Sequence, residues 1–164
     1  MHRDTHLTQL AQRLGRALSA RGFLATTAES CTGGGVAYAM TEIAGSSVWF
    51  DRSFVTYSNG AKTEMLGVPA GLIAEQGAVS EAVAIAMAKG ACAHSDAQLS
   101  VAISGIAGPG GGTPDKPVGT VWLAWYLQPE DKLSSRCLTL AGDRSEVRLQ
   151  AIAVALEGCL QQLS

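Results

Sequence analysis

Residues 28–33 read AESCTG and set two potential nucleophiles, Ser30 and Cys31, side by side ahead of Gly33, Gly34 and Gly35. The preceding FLATTAE has strand character, and TGGGVAYAMTEIAG has helical character, so the pair occupies a strand-to-helix turn. A serine there can attack a carbonyl, and the amides that follow can hold the resulting oxyanion. The helix start also offers free N–H groups and a positive dipole end. A plainer role is open as well: Ser30 or Thr32 caps the helix and Cys31 fills space.

Three further stretches carry reactive or ligand-holding groups. In TYSNGAK, Tyr57 ends a strand and Lys62 falls in the first turns of the next helix. The positive end of that helix disfavours a charged lysine, the direction a general base requires. A surface lysine and a partly buried tyrosine are the ordinary alternative. In SGIAGPGGGTPDKPVG, Ser104 precedes a loop too rich in glycine and proline for helix or strand. Such a loop can cradle a phosphate with backbone N–H groups, although no G-K-[ST] follows and no helix opens on the glycines. A plain loop is the other reading. In GDR, Arg144 lies at a helix start, where a cation is locally unfavourable unless an anion joins it or Asp143 or Glu146 pairs with it.

The elements that position these groups follow from periodicity. Leu7, Leu10, Leu14 and Leu18 recur at helical spacing, with Asp4 or Thr5 as cap and Gly22 as stop. SFVTYS reads as a strand, NGAKTEML as a short helix, and VSEAVAIAMAKGACAHS as a helix capped by Ser80. The small residues of that helix imply close packing on a sheet. QLSVAIS is apolar on both faces, as a central strand is. GTVWLAWYL and SRCLTLA follow as strands, and DRSE opens the last helix as a capping-box variant built on Asp143 and Glu146. The order predicts an α/β fold: a three-layer α/β/α sandwich around one mixed sheet, with residues 1–164 as a single domain.

The chain has 164 residues, net charge −2 and 47% hydrophobic residues. That suffices for one core. Acidic and basic residues are interspersed without a basic cluster, so no nucleic-acid partner is expected. No apolar run of membrane-spanning length and no signal-peptide pattern appear, so no membrane association and a cytoplasmic location are expected. Cys31, Cys92, Cys137 and Cys159 have no metal-ligand spacing and read as reduced thiols. No metal and no cofactor are expected. Homo-oligomers are common at this size, and Trp49 and Phe50, taken as exposed, are candidates for an interface.

Together TAESCTGGG, FVTYSNGAK, GAVSE, SGIAGPGGGTPDKPVGTVW and GDR, in this order and over nearly the whole chain, resemble the CinA C-terminal domain family. They resemble in particular its stand-alone nicotinamide-nucleotide amidohydrolases, which convert nicotinamide mononucleotide to nicotinate mononucleotide and ammonia. Larger members carry an additional N-terminal domain that this length does not accommodate. The resemblance implies a metal-free serine amidohydrolase of a small nucleotide, forming homo-oligomers. It places the nucleophile at Ser30, the tyrosine and lysine at Tyr57 and Lys62, and the phosphate-side arginine at Arg144. It also puts Ser104, Gly105 and Gly108 beside the substrate. Backbone amides from Cys31 through Thr32 to Gly33 would hold the oxyanion. Lys62 would take the Ser30 proton directly or through Tyr57. His2, His6 and His94 sit near a terminus or a helix end, which argues against a Ser–His–Asp triad. The competing function class is a non-catalytic nucleotide- or protein-binding domain of the same competence-associated family.

Overall fold

Leu10, Leu14 and Leu18 are buried on one face of the first helix, as their spacing requires. The computed structural model describes residues 5–164, so Asp4 as a cap lies outside the described residues, as does His2. The elements run α1 (Thr5–Arg21), β1 (Ala25–Glu29), α2 (Gly35–Thr41), β2 (Phe50–Val55), α3 (Asn59–Leu66), α4 (Ala70–Gln76) and α5 (Glu81–Ala93). They continue with β3 (Leu99–Gly105), β4 (Thr120–Leu127), β5 (Lys132–Thr139) and α6 (Arg144–Gln162).

The five strands form one mixed sheet in the order β2-β1-β3-β4-β5. β2, β1 and β3 are parallel, whereas β4 and β5 add antiparallel to β3. Side-chain alternation sends Leu99, Val101 and Ile103 to one face, into a core shared with α1, α2 and α6. Ala28, Ala102 and Ala124 point to the other face, against Ala84, Ala88 and Ala91 of α5. These are the three layers expected. The small residues let α5 come close enough for the Ser100 hydroxyl to donate to the Ala88 carbonyl at 2.7 Å. α6 starts with the expected capping box of Asp143 and Glu146, and Ser80 caps α5.

Several expectations are corrected. The strand read at SFVTYS runs three residues earlier and ends at Val55 rather than Tyr57. α2 starts at Gly35, because Gly33 and Gly34 have left-handed φ of 57° and 96° and cannot extend it. α4 carries no sequence signal: Pro69 presets its start, Gly77 ends it, and only Ile73 of its seven residues is buried. Trp49 is buried against Gly15 and Phe50 packs on the core, so neither is an exposed interface residue.

The chain leaves β1 through α2 to β2 on one side, then crosses through α3, α4 and α5 to β3 on the other. The carboxyl ends of β1 and β3 therefore flank a topological switch point, where open α/β sheets bind ligands. α3 is held over that crevice by α5. A Cβ on Gly90 would lie 2.2 Å from the Leu66 carbonyl oxygen, and a backbone atom cannot swing aside. Gly90→Ala is therefore expected to lower stability by about 1–3 kcal/mol, read from chemical denaturation midpoints. It should also displace α3, the helix that carries Lys62.

Candidate active site

The residue before Ser30 organises the turn. Glu29 ends β1 fully buried, and a buried carboxylate needs donors. It has them: Thr27 Oγ1 at 2.9 Å, Thr32 Oγ1 at 2.7 Å, and the amides of Val36 and Ala37 at 2.9 and 3.0 Å. The start of α2 is thus already occupied by an anion of the chain itself. Neither Ser30 nor Thr32 caps α2, because its N-cap position is Gly34 and its first-turn amides of Val36 and Ala37 go to Glu29.

Two residues expected to contact substrate are turned elsewhere. The Thr32 side chain is buried on Glu29. The Gly33 amide closes the turn onto the Ser30 carbonyl at 3.0 Å and is not free for an oxyanion. The Cys31 amide, by contrast, has only its own thiol as a partner, and the Thr32 amide donates to no acceptor among the described residues but is fully buried.

Lys62 crosses from α3 to this turn. Its Nζ lies 3.2 Å from Ser30 Oγ, 2.7 Å from the Thr56 carbonyl and 3.3 Å from the Tyr57 carbonyl. The side chain is 1% exposed, and no carboxylate pairs with it among the described residues. Burial pushes its pKa below the ordinary 10.5, with a smaller opposing influence from Cys31. A neutral amine has two N–H groups and one lone pair. In the structure Nζ donates to Ser30 Oγ as well as to the two carbonyls, and the Ser30 hydroxyl reaches the Tyr57 carbonyl at 3.5 Å; in the neutral form the two carbonyls suffice for the N–H groups and the lone pair is left on the Ser30 side.

Cys31 is unsuited to attack. Burial is the main cause lifting its pKa to about 11, although its own backbone amide and Arg148 oppose this, so the thiol stays protonated at neutral pH.

Tyr57 stands differently from expectation. Its backbone carbonyl faces Lys62 and Ser30, but its ring is 63% exposed and its hydroxyl accepts from Arg144 Nη2 at 3.3 Å. No hydrogen bond joins the phenol to Ser30 or Lys62 among the described residues, so Lys62 meets Ser30 directly. Arg144 Nη1 donates to the Gly108 carbonyl at 2.7 Å, and neither Asp143 nor Glu146 pairs with it because those two close the helix cap. Ser104 Oγ donates to the Ala78 carbonyl at 2.8 Å. Gly105 must be glycine for packing, since a Cβ would lie 2.7 Å from Val121.

Ser30, Cys31, Tyr57, Lys62, Ser104, Gly105, Gly108 and Arg144 line one cleft of about 290 Å³, and Thr32 and Gly33 do not. The geometry suits acyl chemistry: a serine on a buried lysine, the Cys31 turn behind it, and an arginine across the cleft. Asn59 also lines it. Two residues escaped sequence reading, Glu29 and Arg148. Glu29 sits inside the AESCTG neighbourhood. Arg148 falls four residues after Arg144, one helical turn along the same face, which is the signal that finds it.

The family model for the CinA C-terminal domain matches residues 7–163. The chain is 53% identical over 160 residues to the nicotinamide-nucleotide amidohydrolase PncC of Escherichia coli K12, covering 97% of this chain and 96% of that protein. It is 52% identical over 155 residues to the Pseudomonas putida protein of the same name, covering 94% and 96%. The crystal structure of competence/damage inducible protein CihA from Agrobacterium tumefaciens superposes with a TM-score of 0.93 at 45% identity, covering 96% and 95%.

A depressed lysine pKa costs stability. Below its folded pKa the amine must be buried charged, and up to 10.5 the unfolded chain binds the extra proton. Stability therefore rises with pH across that window, and the penalty vanishes above it. Lys62→Met is expected to be more stable than the wild type at neutral pH. Denaturation midpoints measured from neutral pH towards 10.5 should show that advantage shrinking.

Proposed function

The chain belongs to the CinA C-terminal domain family, and from that premise we propose that it hydrolyses the carboxamide of nicotinamide mononucleotide to nicotinate mononucleotide and ammonia. The observation that carries the reading is the 3.2 Å contact of Lys62 Nζ with Ser30 Oγ, in a buried setting that favours the neutral amine. The names of the nicotinamide-nucleotide amidohydrolases similar over nearly their whole length supply the substrate.

In this mechanism Ser30 Oγ attacks the carboxamide carbon, made electrophilic by the pyridinium ring, and Lys62 takes its proton. The amide of Cys31, the residue of the turn that follows Ser30 along the cleft wall, receives the oxyanion. Protonated Lys62 then delivers its proton to the departing nitrogen, so ammonia leaves and an acyl-serine remains. Water attacks the ester, Lys62 accepts its proton and returns it to Ser30 Oγ. Tyr57 acts through Arg144, holding the guanidinium for the 5′-phosphate beside Gly105, Gly108 and Ser104. Four cysteines without a disulfide suit a reducing cytoplasm. A homo-oligomer would draw on exposed Tyr38, Val48 or Leu149 in place of Trp49 and Phe50.

The test is release of ammonia and nicotinate mononucleotide from purified protein and nicotinamide mononucleotide. No turnover by the wild type overturns the reading. Lys62→Ala is expected to lose about 10²–10⁴ in kcat. The wild-type rate should fall as pH drops through the depressed Lys62 pKa, and Lys62→Ala should lack that limb. Cys31→Ala should retain activity, and its loss would reverse the choice of nucleophile. Arg144→Ala is expected to raise KM more than it lowers kcat, measured by steady-state kinetics.

A further inference from the structure

Arg148 is the one cation beside the nucleophile turn that the mechanism above does not use. It projects from the second turn of α6 and is not part of the cleft wall. Its Nε donates to the Cys31 carbonyl at 3.0 Å and its Nη2 to the Thr32 carbonyl at 3.3 Å. No carboxylate pairs with it among the described residues. One planar guanidinium thus spans two successive carbonyls, a match to its rigid fork that an ammonium does not offer.

The consequence follows from peptide geometry. In a trans peptide the C=O and N–H point to opposite sides. With the Cys31 carbonyl tied to Arg148, the Thr32 N–H of the same peptide points away from the guanidinium. Ser30 and Cys31 form the cleft wall while Arg148 lies outside it. The next peptide is fixed too, because the Thr32 carbonyl also accepts from the Gly35 amide at 2.9 Å. From the other side Glu29 holds the Thr32 hydroxyl. A Cβ on Gly33 would lie 3.3 Å from Nη2, close beside the guanidinium, although the left-handed φ of Gly33 is what calls for glycine there.

We propose that Arg148 is a positioning residue for the nucleophile: by gripping the Cys31 and Thr32 carbonyls it fixes the turn that holds Ser30 Oγ 3.2 Å from Lys62 Nζ. The proposal rests on Ser30 as nucleophile. Arg148 is not part of the cleft wall. Its removal lowers the rate of the chemical step rather than substrate binding, because the group it positions acts when the bond to the carbonyl carbon forms.

The experiment measures the rate of Ser30 labelling by a serine-directed fluorophosphonate, which reads the reactivity of Ser30 Oγ without needing the natural substrate. Wild type, Arg148→Ala and Arg148→Lys are compared with and without added guanidine. Arg148→Ala is expected to label about 10²-fold more slowly, with Arg148→Lys in between, and guanidine should restore Arg148→Ala while leaving the wild type unchanged. With nicotinamide mononucleotide the same variants should lose kcat while KM stays within about twofold. Equal labelling of wild type and Arg148→Ala overturns the proposal, as does a rise in KM alone or a loss that guanidine does not restore. A wild type that is not labelled removes the nucleophile reading and this proposal with it. A wild type that is labelled but leaves nicotinamide mononucleotide intact removes only the substrate, and the labelling comparison still decides the role of Arg148.

Discussion

An amine shut away from water, with two carbonyl oxygens and one hydroxyl around it, is the constraint on which the site depends. Burying an ammonium costs several kcal/mol unless an anion joins it. A carboxylate at that spot would remove the cost, but it would also hold the proton on the lysine and close off the base role proposed for it. The fold keeps Lys62 short of such a partner. The surrounding packing must therefore be tight enough to hold a group that would rather be in water. Gly90, pressed against the Leu66 carbonyl, and the alanine face of α5 supply that packing.

Glu29 is the opposite case a few residues away. It is as buried as Lys62, yet hydroxyls and helix amides meet it with four close donors, so its charge is accommodated. One buried ionisable group is fully served and holds a shape, and the other is under-served and reactive. Ser30 lies between them, at the end of the strand where the chain reverses its direction of winding across the sheet. Glu29 on one side and Arg148 on the other clamp the turn. The glycines there serve conformation rather than ligand approach, as the left-handed φ of Gly33 and Gly34 shows.

Much of this was legible from residue types and spacing. The layers, the mixed character of the sheet and the caps at Ser80 and Asp143 follow from periodicity and capping chemistry, whereas which strands pair parallel does not. Sequence reasoning gave the right direction for the Lys62 pKa but by another route, since it invoked the helix end whereas burial is the main cause. Burial of residue 62 depends on α5 and β1, which local pattern does not show. The same holds for Tyr57: its position by the cleft was readable, but its ring turns to Arg144, a residue 87 positions away. Glu29 was in plain view, but its partners are amides seven and eight residues on, and amides carry no sequence identity. α4 was hidden because Pro69, Gly71 and Gly77 dilute a one-turn apolar signal to Ile73 alone.

The bridge from Tyr57 through Arg144 to the Gly108 carbonyl bears on how a ligand is held. A free arginine on a surface samples many rotamers and gives up that freedom on binding an anion. Here the side chain has surrendered it in advance, to a phenol and a loop carbonyl. On the proposed reading, an arriving phosphate exchanges partners with a guanidinium already standing in place, and most of the ordering is complete before encounter. Affinity at this end of the cleft is governed by competition with Tyr57 and Gly108, so weakening either contact would strengthen the hydrogen bonds available to the ligand while returning disorder to the arginine.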